Sequence, residues 1–303
     1  MYEITQVSDF AAEAFEQLGT KRKFWFWDDQ NQKWLFKEGR PGTGENWAEK
    51  VACELCSLLK IPHAKYDLAQ WMEHDGVVTP TFVPEAGRLI LGNELLPRFV
   101  ANYDRAKKYK QKQHTIKRAL ILTNDSGLNP PRGFRRMANV KTSLDVFIGY
   151  LMLDAWIANQ DRHYENWGFV LTSNNILYLA PTFDHASGFG RNETDRKRED
   201  KLTTTNSRGD MASYVKRAIT PFYSTHTAEK SLSTIDAFKE AAKFNKVAAL
   251  EWLDKLDSID ESDTLSVFHR IPGNLISEVA IEFAQKILQL NKERLLSLRE
   301  TLS

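Results

Sequence analysis

Residues 159–166 read N-Q-D-R-H-Y-E-N, and residues 181–184 read P-T-F-D. The first segment follows an apolar run at 142–158, which predicts a helix buried on nearly every side. The second segment follows two short predicted strands, at 167–172 and 176–180. The polar side chains of both segments are therefore expected on loops that a rigid core holds in place.

Asp161, Asn166 and Asp184 are of the residue types that phosphoryl transfer from ATP requires. A Mg²⁺ ion keeps several of its waters, so one carboxylate and one amide oxygen can be enough protein ligation. A second carboxylate can accept the proton of the attacking hydroxyl. Asp161 fits the role of base, and Asn166 and Asp184 fit the metal site. A D-x-x-x-x-N pattern alone is common in loops, so the prediction depends on the buried helix, the strand pair and the second aspartate.

The segment 159–169 resembles the catalytic loop of HipA-like kinases, in their compact HipT-like form, and the D-R-H-x-x-N loop of phosphatidylinositol 3- and 4-kinases. Residues 181–184 resemble the metal-binding motif of the HipA-like proteins. The resemblance implies an ATP- and Mg²⁺-dependent kinase with Asp161 as catalytic base and with Asn166 and Asp184 as metal ligands. It also implies a catalytic role for His163, for which bracing of the loop is an alternative of equal weight.

Residues 34–37 resemble the kinase strand that ends in a phosphate-binding lysine, which would be Lys37. The following helix resembles the one whose glutamate pairs with that lysine, and Glu49 is the first candidate. A lysine close to the α- and β-phosphates needs a fixed carboxylate to orient it. Glu45 and Glu54 lie on the same predicted helix and are the alternatives.

A glycine turn before the first long strand is a candidate phosphate loop. Gly19, Thr20 and Lys21 combine backbone amides with a cation, and such a turn can cradle an anion. The segment matches neither a Walker motif nor G-x-G-x-x-G, so a plain basic turn is the competing interpretation.

These elements predict an α+β, two-lobed, protein-kinase-like fold, with a small antiparallel-sheet N-lobe at 1–92 and a mainly helical C-lobe at 93–303. ATP is expected between the lobes. The predicted strands are 23–28, 33–37, 64–72 and 76–83, and the predicted helices are 9–18, 45–60, 94–112, 234–257 and 275–300. The charged stretch 191–210 has almost no apolar residue to bury and is predicted to be a mobile loop.

The balance of charged residues indicates which classes of partner are disfavoured. The chain has 41 Lys and Arg against 40 Asp and Glu, so its net charge is +1. This balance gives no support for direct nucleic-acid binding or for an anionic membrane surface. Neither a signal peptide nor a membrane span is predicted, so the cytoplasm is the expected location, with delivery to another cell left open. Cys53 and Cys56 form a C-x-x-C pair inside a helical pattern, which favours small helix residues over a redox pair.

The expected reaction is transfer of the γ-phosphate to a Ser or Thr hydroxyl of a protein, autophosphorylation included, and an antitoxin or other regulatory partner follows from the resemblance. Alternatives on the same fold are a lipid kinase, an AMP-transferase and a catalytically silent pseudokinase that binds ATP. A metal-dependent phosphoesterase is a further alternative, whose candidate metal ligands are Asp161, His163, Asn166, Asp184 and His185.

Overall fold

The computed structural model describes residues 1–9, 22–100, 103–104 and 110–302, together with the backbone of Ala14 and Phe15. A mostly antiparallel sheet occupies the N-terminal part. Its strands are β1 (Thr5–Val7), β2 (Ala14–Phe15), β3 (Lys23–Trp27), β4 (Lys33–Glu38), β5 (Asp67–Trp71) and β6 (His74–Pro80). They lie in the order β1-β5-β6-β4-β3-β2, and β1 runs parallel to β5.

The β3–β4 hairpin follows from its alternating sequence. Phe24 and Phe36 are opposite each other in the register, their ring centroids lie 5.1 Å apart, and both are fully buried. Since successive side chains of a strand point to opposite faces, Lys37 lies on the other face of the sheet from Phe36. The Asp28 carboxylate closes the turn by accepting hydrogen bonds from the N–H groups of Gln30 and Gln32.

Helix α1 (Glu45–Leu59) packs against this sheet. It ends at Lys60, whose φ of 59° is left-handed and whose N–H donates to carbonyls of the last turn. Cys53 and Cys56 lie in the middle of α1, free and buried, and burial raises the pKa of Cys53 to about 11. A protonated, buried thiol is a poor nucleophile, which confirms that the pair consists of helix-core residues.

A second sheet lies in the C-terminal part and contains β7 (Arg88–Leu91), β8 (Leu128–Asn129), β9 (Gly168–Leu171) and β10 (Leu177–Leu179), in the order β7-β9-β10-β8. The strand pair predicted after the N-Q-D-R-H-Y-E-N segment is confirmed as β9 and β10. Although β7 precedes residue 92, it pairs with β9. The division into lobes at residue 92 stays a prediction.

The remaining helices build the C-terminal part around α4. They are α2 (Gly92–Leu95), α3 (Ile116–Thr123), α4 (Ser143–Trp156), α5 (Asp195–Thr203), α6 (Met211–Lys216), α7 (Thr234–Ala242), α8 (Lys246–Asp257), α9 (Glu261–His269), α10 (Glu278–Leu296) and α11 (Arg299–Leu302). Every residue of α4 is buried, as its apolar sequence predicts. Thr142 begins the helix by accepting a hydrogen bond from the N–H of Asp145, whose carboxylate accepts one from the N–H of Thr142.

Three predicted helices need correction. Ala14 and Phe15 form a strand, whereas the rest of the predicted helix at 10–18 lies outside the described residues. In the described part of 94–112, α2 passes into a 3₁₀ turn at Leu96–Arg98, because Pro97 has no N–H to continue an α-helix. The predicted helix at 234–257 is two helices, since the Asn245 side chain accepts a hydrogen bond from the N–H of Ala248 and begins α8.

The prediction of a mobile loop at 191–210 is wrong. Helix α5 lies in the middle of this stretch, and the Thr194 hydroxyl accepts a hydrogen bond from the N–H of Lys197 at its start. Arg198 is buried and bonds Asp195 at 2.7 Å and the carbonyl of Gly190 at 3.4 Å. Ser277, which begins α10, donates to the same Asp195 carboxylate. Tertiary contacts therefore order a segment that has almost no apolar side chains of its own.

No helix in the described part of the chain is long and apolar enough to cross a bilayer.

Candidate active site

Lys37, Glu49 and Asp184 come together from three separate elements. The Nζ of Lys37, on β4, lies 2.7 Å from Oδ1 of Asp184 and 3.4 Å from Oε2 of Glu49, on α1. The Glu49 side chain is almost fully buried, that of Lys37 is one-fifth exposed, and that of Asp184 is about one-third exposed. A cation is thus held between two carboxylates, one of which faces solvent.

Glu49 is the glutamate of α1 that pairs with Lys37, and the other two glutamates of α1 are engaged elsewhere. Glu45 pairs with Arg40 and with Arg191, and Glu54 pairs with Lys50. One of the three glutamates of α1 therefore pairs with Lys37 of β4, whereas the other two pair with cations elsewhere.

The ion pairs keep both groups charged despite burial. Burial alone would lower the pKa of Lys37, but the carboxylate of Asp184, with Tyr66 and Glu49, outweighs it and holds the pKa well above its usual range. Burial alone would raise the pKa of Glu49, and Lys37 together with the side chain of His185 lowers it instead.

The loop that carries Asp184 is fixed on both sides. The N–H of Thr182 donates to the carbonyl of Pro62, and the N–H of Ala64 donates to the carbonyl of Thr182, both at 2.9 Å. Asp184 has a φ of 61°, a left-handed conformation that is uncommon for a residue other than glycine. The surrounding hydrogen bonds hold this conformation, and strain of this kind is concentrated at functional sites.

His185 is a structural neighbour of this loop. Its ring lies 2.7 Å from the Thr182 hydroxyl and 3.6 Å from the Glu49 carboxylate, and its backbone N–H donates to Glu49. Both ring nitrogens thus face protein groups in a site that is 1% exposed. This engagement opposes a role as a metal ligand beside Asp184.

Arg162 connects the loop at 159–166 to the loop that carries Asp184. Its guanidinium is fully buried and makes two hydrogen bonds of 2.7 Å with the carboxylate of Asp154, near the end of α4. The same guanidinium donates to the carbonyl of Asn166 at 2.8 Å and to the carbonyl of Phe183 at 3.5 Å. One side chain therefore holds the backbone carbonyl of Asn166 and the carbonyl of the residue before Asp184.

The N-Q-D-R-H-Y-E-N segment forms a compact loop directly after α4. Ala158 adopts a left-handed φ of 54°, and the side chain of Asn159 donates to Asp154 at 2.8 Å. The side-chain amide nitrogen of Asn166 donates to the backbone carbonyl of Asp161 at 2.7 Å. The loop thus closes on itself, and its two ends carry the candidate base and the candidate metal ligand.

His163 shows features of both roles considered for it. Its Nδ1 accepts a hydrogen bond from the N–H of Glu165 at 3.1 Å, which braces the loop. In the neutral ring this places the proton on Nε2, which lies 3.7 Å from Oδ1 of Asp161. His163 is therefore positioned both to hold the loop and to contact the candidate base.

The donor set suits one hard cation. Asn166 and Asp184 offer an amide oxygen and a partly exposed carboxylate, which are ligand types that Mg²⁺ accepts. Within the described residues, no group of three or more His, Cys, Asp or Glu side chains could hold a metal ion. Gly19, Thr20 and Lys21, the predicted phosphate loop, lie outside the described residues.

The sequence patterns alone did not indicate that Arg162 and Asp154 connect the two candidate loops. A signal for them was present: an aspartate in an otherwise apolar, buried helix needs a cationic or hydrogen-bonding partner, and the arginine of the following loop is the nearest one in sequence.

Two sheets and a helical C-terminal part, with the Lys–Glu pair and the aspartate loops between them, give the molecule a kinase-like fold. Two solved kinases have similar structures. The Helicobacter pylori proinflammatory kinase CtkA has a TM-score of 0.74 at 17% identity, over 99% of this chain and 98% of that one. Shewanella oneidensis HipA, solved with HipB and its operator DNA, has a TM-score of 0.58 at 11% identity, over 95% of this chain and 68% of that one.

At these identities the likeness shows the fold, which is the α+β, two-lobed kinase fold that the sequence predicts. No family model matches the sequence. No curated protein matches it either.

Proposed function

We propose that this chain is an ATP- and Mg²⁺-dependent kinase that transfers the γ-phosphate to a Ser or Thr hydroxyl of a protein. The observation that carries the proposal is the position of Lys37, which lies between the buried carboxylate of Glu49 and the partly exposed carboxylate of Asp184. Lys50 also lies between two carboxylates, those of Glu54 and Asp67, so two partners alone do not mark a functional site. A second carboxylate, on a strained and partly exposed loop, is what a metal–triphosphate site requires.

Each side chain has a task in this reaction. Glu49 orients the ammonium of Lys37 towards the phosphates, and Arg162 keeps the Asn166 and Asp184 loops at a fixed separation. The carboxylate of Asp161, which is about one-quarter exposed, accepts the proton of the acceptor hydroxyl. Asn166 and Asp184 hold Mg²⁺, which when bound neutralises the charge that develops on the transferring phosphoryl group.

A protein acceptor is favoured over a lipid acceptor by the charge balance of the chain. A lipid kinase needs a basic or apolar surface towards the membrane, and the net charge of +1 gives no general attraction to one. Phosphoryl transfer is favoured over phosphoester hydrolysis because His185 faces Thr182 and Glu49 instead of a metal.

The deciding experiment is incubation of the purified protein with γ-labelled ATP and Mg²⁺, followed by identification of the labelled species. Asp161→Asn should reduce transfer by about 10²–10⁴-fold, while ATP binding measured by calorimetry is retained. Asp184→Asn should also remove the dependence of ATP binding on Mg²⁺. Asp29→Asn, in the exposed β3–β4 turn, is the matched control and should behave like the wild type.

Other outcomes would support the alternatives. Labelled phosphate on lipid and not on protein would make the chain a lipid kinase. Mass spectrometry that finds added AMP would make it an AMP-transferase, and ATP binding without any transfer would make it a pseudokinase. Hydrolysis of phosphoesters without ATP binding would exclude a kinase altogether.

A regulatory partner is the second part of the proposal. HipA was solved with HipB and operator DNA, and we propose a protein partner of the antitoxin or regulator type for this chain, with no direct contact to nucleic acid. The test is a transfer assay with and without the candidate partner: a partner that regulates the kinase changes the rate of labelling.

A further inference from the structure

A cleft of about 760 Å³ lies beside the segment that leads to Asp184, with Pro181 in its lining, and we call it the basic cleft. The C-terminal end of α1, the loop at 130–137, the β9–β10 hairpin and helix α8 form its walls. None of the proposed catalytic or metal-binding residues lines it. Its basic side chains are those of Lys60, His63, Arg132, Arg135, Arg136 and Lys255.

The charge of the basic cleft is not compensated. In the described part of the chain no Asp or Glu lines it, and none of its lysines and arginines forms an ion pair with a described acid. Elsewhere cations do find such partners, as Lys50 and Arg299 do. In a chain of net charge +1, five cations around one concave site that pair with no acid in the described ranges produce a local positive potential that attracts anions.

The loop at 130–137, which carries Arg132, Arg135 and Arg136, is held in place by hydrogen bonds within the protein. The N–H of Phe134 donates to the carbonyl of Pro131, and the N–H of Met137 donates to the carbonyl of Val140, both at 3.0 Å. The N–H of Asn139 bonds the carboxylate of Glu251 on α8. Three arginine side chains are therefore presented from a fixed backbone, which lowers the entropic cost of binding.

The lining is not basic throughout. Phe82 and Phe134, which are half-buried, contribute apolar surface to the lining, and burial lowers the pKa of His63, so that its ring adds no charge near neutral pH. A purely ionic ligand would leave this apolar surface in contact with water. The arrangement fits a ligand that combines anionic groups with an apolar side chain.

We propose that the basic cleft binds an anionic peptide segment, whose phosphate or carboxylate groups contact the arginines and whose apolar side chain covers the surface around Phe134. Arginine suits both anions, because its planar guanidinium donates two parallel hydrogen bonds to either. Duplex DNA is disfavoured because a rod needs an extended basic face, and a membrane is disfavoured because the site is concave.

Occupation of the cleft would bear on the proposed active site. Pro62 and His63 line the cleft, and the backbone of 62–64 is bonded to Thr182, two residues before Asp184. This consequence rests on the proposed kinase function, whereas peptide binding itself does not. The two are therefore tested by separate measurements.

Binding is measured by fluorescence anisotropy, without ATP, using three labelled peptides of one sequence that contains Phe and Leu. Their variable positions hold phosphothreonine, Glu or Gln. The phosphothreonine or the Glu peptide should bind at least about tenfold more tightly than the Gln peptide, and which of the two is tighter identifies the anion. Binding should weaken as salt rises.

The variant Arg135→Glu/Arg136→Glu should lose at least about tenfold in affinity for the anionic peptide. The control Lys117→Glu/Lys239→Glu makes the same charge change at exposed positions of α3 and α7 and should bind like the wild type. If the first variant does not fold, a photoreactive version of the peptide, cross-linked to the wild type, should be recovered by mass spectrometry on residues 130–137.

Several results would overturn the proposal. They are equal affinity for all three peptides, cross-links elsewhere on the surface, tighter binding to duplex DNA or to phosphatidylserine vesicles than to any peptide, and displacement of the peptide by Mg²⁺–ATP, which would make the cleft part of the nucleotide site. A wild-type protein that transfers phosphate but binds none of the peptides would overturn this inference alone. A wild-type protein that binds an anionic peptide but transfers no phosphate would overturn the proposed kinase alone.

Discussion

The buried ion pair of Arg162 and Asp154 makes the free energy of unfolding sensitive to substitution of either residue. Both side chains are buried, so removal of one partner leaves a charge that is neither solvated nor paired. Arg162→Met should lower the free energy of unfolding by about 3–5 kcal/mol, measured by denaturant titration. Arg162→Met/Asp154→Leu should recover part of this loss, because the unpaired carboxylate is gone.

Activity should not recover with stability in the double variant. The carbonyls of Asn166 and Phe183 remain without their donor, so kcat should stay low even where the fold is intact. If the double variant regains both stability and kcat, Arg162 has no positioning role and serves only to neutralise Asp154.

His114 should make the free energy of unfolding depend on pH in the acidic range. Its ring is buried, stacks on Phe222, and accepts a hydrogen bond from the indole N–H of Trp167. Burial, with a smaller contribution from His163, lowers its pKa from 6.5 to about 3. The unfolded chain therefore binds a proton more readily, and the stability that this residue contributes is complete above about pH 6.5 and falls as the pH drops towards 3.

Between about pH 7 and about pH 4.5, the wild type should lose roughly 2 kcal/mol more of its unfolding free energy than His114→Gln. Glutamine keeps an acceptor for Trp167 but does not titrate in this range. Denaturant titrations of both proteins across the range measure the difference, and parallel pH profiles would mean that the His114 ring is protonated or accessible in the folded state.

At the scale of single residues, the sequence indicates candidate site residues but does not give their contacts. Asp161, Asn166 and Asp184 follow from the chemistry of their residue types and from their loop positions. The choice of Glu49 over Glu45 and Glu54 does not, because it depends on how α1 is rotated against β4. That rotation is set by packing across the chain, which residue spacing does not encode.

Helix α5 shows where composition misleads at the scale of elements. The stretch 191–210 lacks the apolar residues from which a packed helix is usually predicted. Its order comes from the Thr194 cap, from the buried Arg198 and from Ser277 at the start of α10. The buried helix α4 and the β3–β4 hairpin could be predicted because the pattern of apolar residues within each segment specifies the element.

Hydrogen exchange should detect this ordering. The amides of residues 198–203 should exchange more slowly than those of the irregular residues 204–209. Thr194→Ala should cost about 1 kcal/mol of local stability and speed exchange in α5. Thr205→Ala, at an exposed position outside the helix, is the matched control, and equal exchange in all three proteins would contradict the role of the cap.

At the scale of the whole molecule, one apolar core joins the two predicted lobes. Side chains of α1, among them Trp47 and Leu55, belong to the same cluster as Phe147 of α4 and Phe268 of α9. The chain start is fastened to this region as well, since the N–H of Tyr2 donates to the carbonyl of Arg270 at 2.6 Å. The sheet-bearing part therefore does not bury its helix by itself.

The shared core predicts cooperative unfolding of the described chain. Separation of the lobes would expose the α1 side chains that belong to the shared core, and burial of an apolar side chain is worth about 1.5–3 kcal/mol. Far-ultraviolet circular dichroism and tryptophan fluorescence should then report one coincident transition in denaturant. A fragment of residues 1–92 should lack cooperative unfolding, since its helix has lost the surface that buries it. Two separated transitions, or a fragment that melts cooperatively, would show that the N-terminal sheet and α1 are stable without the rest of the core.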